Sequence, residues 1–280
     1  MKQETHLVPM HGGGHVALHR YKPSNPVGLP VVVAHGTLSN QLAVEHLGVF
    51  FAEQGFDTWL LEWGGHGQAR PAHRQQNFEY PALNDLPVAI DFVVQHTGHS
   101  QLHWTSHSGG GLLALMLLAR QPERISQIKS LSLIGAQVTD AAPNLKEKMR
   151  VAALGALTRL FGRTPRKLVP IGPEGEPTLL LVQWCKWNLS GKWKGADGFD
   201  YLAALKQVSV PSLVIAGGRD DVAPPKGCRR IYEALGGPKT WHECTVQKGF
   251  SKDFSHSQMI RGEAAKTEVF PLLHQFIQTI

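Results

Sequence analysis

Leu29 to Ala34, LPVVVA, is a nearly unbroken run of β-branched and aliphatic residues that ends on His35-Gly36. A strand with one wet face alternates polar and apolar side chains, whereas a run without polar positions has to be covered on both sides. That requirement places the segment in the middle of a sheet between two helical layers. A helix is expected over about Gln41 to Gln54, then a second apolar run, Phe56 to Glu62, closing on the turn Gly64-Gly65-His66-Gly67. The alternation continues with a helix near Asn84 to His96, a strand Gln101 to Thr105, a Gly-rich turn, a helix led by Leu112 to Ala119, and strands at Ile128 to Gly135 and Ser212 to Ala216. Strand-helix-strand units imply parallel pairing, and their crossovers are right-handed in nearly every case. The expected class is therefore α/β, with a doubly wound, mostly parallel sheet.

Between about Thr139 and Gly198 the rhythm breaks. A basic amphipathic segment places Met149, Ala153, Ala156, Leu157, Leu160 and Phe161 at helical spacing, with Lys146, Lys148, Arg150 and Arg159 largely between them. A Pro/Gly loop follows, and then LLLVQWCKWNLSGKW, which carries Trp184, Trp187 and Trp193. Lying between two expected strands, residues 139–198 read as a helical cap inserted into a core made of 1–138 and 199–280.

At 280 residues, with 42% hydrophobic and 18% charged side chains, the chain has the composition of a folded globule and excludes a disordered or fibrous one. Its N-terminus, MKQETHLVPMHGGGH, lacks the apolar core of a signal peptide, and no run approaches the roughly 18 apolar residues of a membrane span, so a soluble cytoplasmic chain is expected. Cys185, Cys228 and Cys244 have no paired spacing and are read as free thiols. The net charge of +6 is spread along the chain without a recognition module, which argues against nucleic acid as a partner.

The chemical signal is sharpest at Trp104-Thr105-Ser106-His107-Ser108-Gly109-Gly110, where an apolar strand hands over to an apolar helix. A nucleophile on such a strained turn needs small neighbours, and its hydroxyl emerges at the C-terminal edge of the sheet. Ser108 is the residue so placed. A serine hydroxyl becomes a nucleophile only when a histidine takes its proton, and that histidine must be oriented by a carboxylate. Asp220 follows the strand SLVIA in Gly217-Gly218-Arg219-Asp220-Asp221-Val222-Ala223-Pro224, with Asp221 and Asp140 as alternatives. His256 lies on the last loop before the final helix. For the oxyanion, Gly109 N–H is one expected donor and the loop after the first central strand supplies the other, Thr37 first and Leu38 next. His35, Gly36, His107, Trp184 and Trp187 are expected to line the substrate.

Two tempting motifs are set aside. His11-Gly12-Gly13-Gly14 spells an oxyanion signature of some esterases, but it precedes an expected edge hairpin instead of following the buried strand, so a glycine turn is the better reading. His96, His99, His103 and His107 lack the i, i+4 pairing with a nearby Glu of helical zinc sites, and no metal is expected.

Taken in order, the His35-Gly36 loop, Glu62-Trp63-Gly64-Gly65-His66-Gly67, the Ser108 elbow, the Gly217 to Pro224 segment and His256 resemble the α/β-hydrolase superfamily from about Val31 to the C-terminus. Two departures stand out: Ser106 replaces the first elbow glycine, and Gly64 an arginine that commonly follows the second strand. The resemblance implies a serine hydrolase that cleaves a carboxylic ester of a small acyl substrate without a cofactor. It leaves open a thioesterase or acyltransferase on the same residues, and a non-catalytic ligand binder. A Trp- and Leu-rich cap favours apolar acyl groups and its basic helix suits contact with anionic lipid, though the tryptophans equally suit holding the cap together. The oligomeric state is not legible.

Overall fold

The strands, in chain order, are β1 (Lys2–Pro9), β2 (His15–Lys22), β3 (Val31–Ala34), β4 (Thr58–Glu62), β5 (Leu102–His107), β6 (Ile128–Ile134), β7 (Ser212–Gly217) and β8 (Lys239–Cys244). The helices are α1 (Glu45–Glu53), α2 (Leu86–Thr97), α3 (Gly109–Arg120), α4 (Leu145–Phe161), α5 (Thr178–Ser190), α6 (Tyr201–Ala204), α7 (Pro225–Ala234) and α8 (Phe270–Gln278). This computed structural model describes residues 1–162, 164 and 172–280. All eight strands join one sheet in the order β1-β2-β4-β3-β5-β6-β7-β8. Pairing is antiparallel for β1 with β2 and β2 with β4, and parallel from β4 through β8.

The expected α/β class, with its mostly parallel sheet, is the observed one. Every residue of β3 is buried, and its side chains alternate between two cores. Val32 and Ala34 join a cluster with α2, α3, α5 and α7, while Val31 and Val33 face α1 and α8. The period-two side-chain geometry of a strand explains how one apolar run serves both layers. The His11–Gly14 segment is the turn of the β1–β2 hairpin itself and does not precede it; Gly12, Gly13 and Gly14 all have positive φ there.

The inserted segment lies between β6 and β7. Part of its expected Pro/Gly loop, residues 163 and 165–171, falls outside the described residues. Helix α5 is tied to the body of the fold: Phe78 N–H donates to Gln183 Oε1 (2.9 Å), Ala141 N–H donates to Asn188 Oδ1 (2.9 Å), and Leu180 and Trp187 enter the main core. Helix α4 rides on α5, burying Val151, Gly155 and Thr158, with Gly155 packed against Cys185. Of the residues that marked an apolar face in the sequence, Met149, Ala153, Ala156, Leu160 and Phe161 are exposed and Leu157 is half-buried.

Two loops at the C-terminal edge of the sheet approach each other as closely as backbones allow. A Cβ at Gly36 would lie 2.8 Å from Ser108 Cβ, and one at Gly110 would lie 2.5 Å from His35 O and 3.0 Å from Ala34 Cβ. Backbone at that distance has little freedom to yield. Gly110→Ala is expected to destabilise the fold by about 1–3 kcal/mol through overpacking, the opposite sign to the gain alanine gives over glycine at an unhindered helical position. Urea unfolding of the variant beside wild type checks this, and an unchanged or higher midpoint would refute the steric reading.

Candidate active site

Strand β5 delivers Ser108 at the turn into α3 with φ 53° and ψ −122°, a region seldom occupied by a residue with a Cβ. Ser108 N–H donates to Ile134 O on β6 (2.8 Å), and its carbonyl accepts from Gly111 N–H (3.0 Å). Ser106, which departs from the usual elbow glycine, is fully buried and donates its hydroxyl to Ser132 O (3.2 Å). The extra polar atom is thereby satisfied by the neighbouring strand.

Asp220 and His256 come together although 36 residues separate them. The loop after β7 and the loop after β8 are laced by backbone bonds: Gly218 N–H and Phe254 N–H both donate to Cys244 O, and Arg219 N–H donates to Phe254 O. His256 Nδ1 donates to Asp220 Oδ2 at 2.7 Å, while Asp220 Oδ1 accepts from Val222 and Ala223 N–H at 2.9 and 2.7 Å. The carboxylate is buried and fully engaged, and Nδ1 is the imidazole nitrogen committed to it. Gly135, at φ 59°, makes room: a Cβ there would sit 3.2 Å from His256 Nδ1 and 3.3 Å from Asp220 Oδ2. Asp221 is exposed, and Asp140 is taken up by Thr139, Lys226 and Arg230. Among the described residues, no hydrogen bond joins Ser108 Oγ to His256.

Thr37 N is close enough to Gly109 that a Cβ on the glycine would meet it at 3.0 Å. Among the described residues neither N–H has an acceptor; Gly109 is in the first turn of α3, which leaves its donors open. The neighbouring N–H of Leu38 differs. It donates to Glu176 Oε1, a carboxylate reaching over from the inserted segment, so it is not a free donor as expected. Leu38 itself has φ 58°, and Glu174 N–H and Asn40 Nδ2 complete the contact between the two segments.

The family described as "alpha/beta hydrolase fold" matches residues 30–167. The chain is 28% identical over 150 residues to gastric triacylglycerol lipase of Homo sapiens, a match covering 48% of this chain and 38% of the lipase. Matched stretches thus span under two fifths of that relative. Among solved structures it superposes on a thermophilic esterase from Thermogutta terrifontis with TM-score 0.66 at 14% identity, covering 100% of this chain and 99% of the other. DcsB, solved with its substrate analogue, gives TM-score 0.73 at 14% identity over 99% of both chains. The chain belongs to the α/β-hydrolase superfamily.

Within this α/β-hydrolase chain, several histidines fall behind the site and not in it. His107 Nε2 donates to His256 O (3.1 Å), and the two rings lie 4.4 Å apart. Burial, with His256 adding to it, holds the His107 imidazole well below its usual range, so it is a neutral support for the His256 loop. His35 stacks on Trp63 at 5.2 Å and is likewise neutral, pushed down to about 3 by burial and by the nearby charge of His66. Trp184 is half-buried against α4. Trp187 is corrected from substrate lining to core: it is 1% exposed, donates Nε1–H to Lys194 O (2.7 Å) and packs on Phe78. Away from the elbow, Glu4, His6 and His96 also gather, but Lys2 and Arg20 already compensate that carboxylate.

Sequence reasoning missed Glu176 and His66. The second lies in the quoted Gly64–Gly67 turn, but the first sits in a Pro/Gly-rich stretch without periodicity, and nothing local joins them. His66 is fully buried and donates through both nitrogens, Nδ1 to Trp63 O (2.6 Å) and Nε2 to Glu176 Oε1 (3.0 Å). Only an imidazolium has two donors. Burial opposes that charge, yet Glu176 outweighs it and raises His66 from 6.5 to about 9. A group raised on folding contributes its full stability below the unfolded value and loses it as pH rises through the folded one. The pair should therefore contribute roughly 3 kcal/mol below pH 6.5, declining as pH passes about 9. Urea unfolding at pH 6 and pH 10 tests this: wild type should lose more stability than Glu176→Gln over that interval, and parallel losses would exclude the ion pair.

Proposed function

We propose that the chain is a serine-dependent hydrolase of carboxylic esters, with Ser108 as nucleophile, His256 as general base and acid, and Asp220 as the group that orients it. The observation carrying this reading is the His256 Nδ1 to Asp220 Oδ2 bond of 2.7 Å, together with a serine held at φ 53° on the turn into α3. With Nδ1 committed to the carboxylate, the lone pair of the imidazole is on Nε2 and free to accept a proton. Ser108 Oγ attacks the acyl carbon as its proton passes to Nε2. The developing oxyanion is met by Thr37 and Gly109 N–H, each contributing about 3 kcal/mol to such transition states. Proton return from Nε2 releases the alcohol, and water, activated by the same nitrogen, hydrolyses the acyl-enzyme.

Residues 139–198 serve as the cap in this reading, with Glu176 fixing the Leu38 peptide beside the oxyanion donors. An apolar acyl group is inferred from the likeness to a triacylglycerol lipase. Fluorophosphonate labelling followed by peptide mapping should find a single adduct, on Ser108, and Ser108→Ala should lower p-nitrophenyl ester turnover by about 10⁴-fold or more. Folded protein that forms no adduct would assign the chain to ligand binding without turnover, and thioester turnover with esters untouched would move it to thioesterases.

The choice of acid has its own test. Asp220→Asn should lower kcat by about 10³–10⁴-fold while leaving KM within a few-fold, because the tautomer and not the binding surface is disturbed. Asp221→Asn should behave as wild type. Equal effects at the two positions, measured by steady-state kinetics, would contradict the assignment.

A further inference from the structure

Helix α4 turns an apolar ridge away from the protein. Leu145, Met149 and Leu160 are 74%, 65% and 78% exposed, and Ala152, Ala153 and Ala156 are exposed between them. At 100° per residue these six positions fall within an arc of about 100°, opposite the buried Val151, Gly155 and Thr158 that seat the helix on α5. Both rims of the ridge are basic and exposed, with Lys146 and Arg150 along one side and Lys148 and Arg159 along the other. The ridge runs about 22 Å from Leu145 to Leu160.

Two occupants could cover such a face, and the charges choose between them. Pairing with a second copy would bring basic rim against basic rim, whereas helix pairs place opposite charges beside an apolar seam. The helix has one acid, Glu147, which lies toward the buried side and is bridged to Arg150 at 2.9 Å. A flat anionic surface satisfies both rims at once, with the ridge dipping into the acyl boundary and the lysine and arginine stems reaching back to the headgroups.

We propose that the outer face of α4 docks the protein on anionic lipid bilayers, the helix lying in the interface. The arrangement is independent of the reaction at Ser108 and requires no rearrangement of α4, since the face is already presented. No described helix is long and apolar enough to span a membrane, so the contact is one of lying on the surface.

The full chain is tested by co-sedimentation with vesicles of phosphatidylcholine alone and with about 30% phosphatidylglycerol, whose headgroups supply the negative surface potential that attracts basic segments. Binding is expected to the anionic vesicles and to fall with salt. Leu145→Glu with Leu160→Glu, both on exposed positions, should cut partitioning at least tenfold, with the thermal midpoint unchanged. Lys146→Ala with Lys148→Ala should cut it by roughly 25-fold. The proposal is overturned if the wild type ignores anionic vesicles at low salt, or if it binds them and the ridge and rim variants bind equally. It is overturned too if light scattering finds a lipid-free dimer that Leu160→Glu dissolves, which would give the ridge to a second copy. Because sedimentation needs no turnover, an inactive protein that binds leaves the docking surface standing.

Discussion

The contact between the end of β3 and the start of α3 is the constraint on which the remainder of the site depends. Gly36 faces Ser108 Cβ, and Gly110 faces His35 O, at distances that exclude any side chain. Without that approach the Thr37 and Gly109 N–H groups would not share one small volume, and the strained turn at Ser108 would have no partner across from it. Strain at a functional turn persists only where surrounding structure over-determines it. Here a backbone bond to β6 and the satisfied hydroxyl of Ser106 perform that task.

A second tier of contacts holds the loops around the turn. The loops carrying Asp220 and His256 are joined through the Cys244 and Phe254 carbonyls, and His107 donates to the His256 carbonyl. On the opposite side a buried imidazolium, His66, balances the Glu176 carboxylate that grips Leu38. Removing one member of such a pair leaves an uncompensated buried charge, so the inserted segment and the β3 loop are coupled electrostatically as well as by packing. Residues far apart in sequence thus tie the Leu38 backbone to the inserted segment.

The insertion divides its labour between two helices. Helix α5 belongs to the interior, where Leu180 and Trp187 extend the main core. Helix α4 uses small residues, Gly155 and Thr158, to sit close against α5 and presents its larger apolar side chains outward. Amphipathic spacing identifies which residues share a face, but not whether that face meets protein. Such a helix inverts the ordinary expectation because its buried face is narrow and small, and its apolar face is left for another surface.

Periodicity determined much of this protein by itself. The unbroken β-branched run of β3 compelled a buried central strand, the alternation of apolar runs compelled parallel pairing, and Ser108 and Asp220 were legible because each follows a recognisable strand, while His256 was legible only from its place before the final helix, since β8 ahead of it carries no apolar run. Local patterns of that kind depend on neighbours in the chain, which a sequence states directly. Tertiary structure alone paired Asp220, and not its neighbour Asp221, with His256, turned Trp187 into core, joined Glu176 to His66 across 110 residues, and faced α4 outward. Each of those outcomes depends on which distant groups share a buried volume, where unpaired charge and unfilled space carry the largest costs, and no local spacing encodes that.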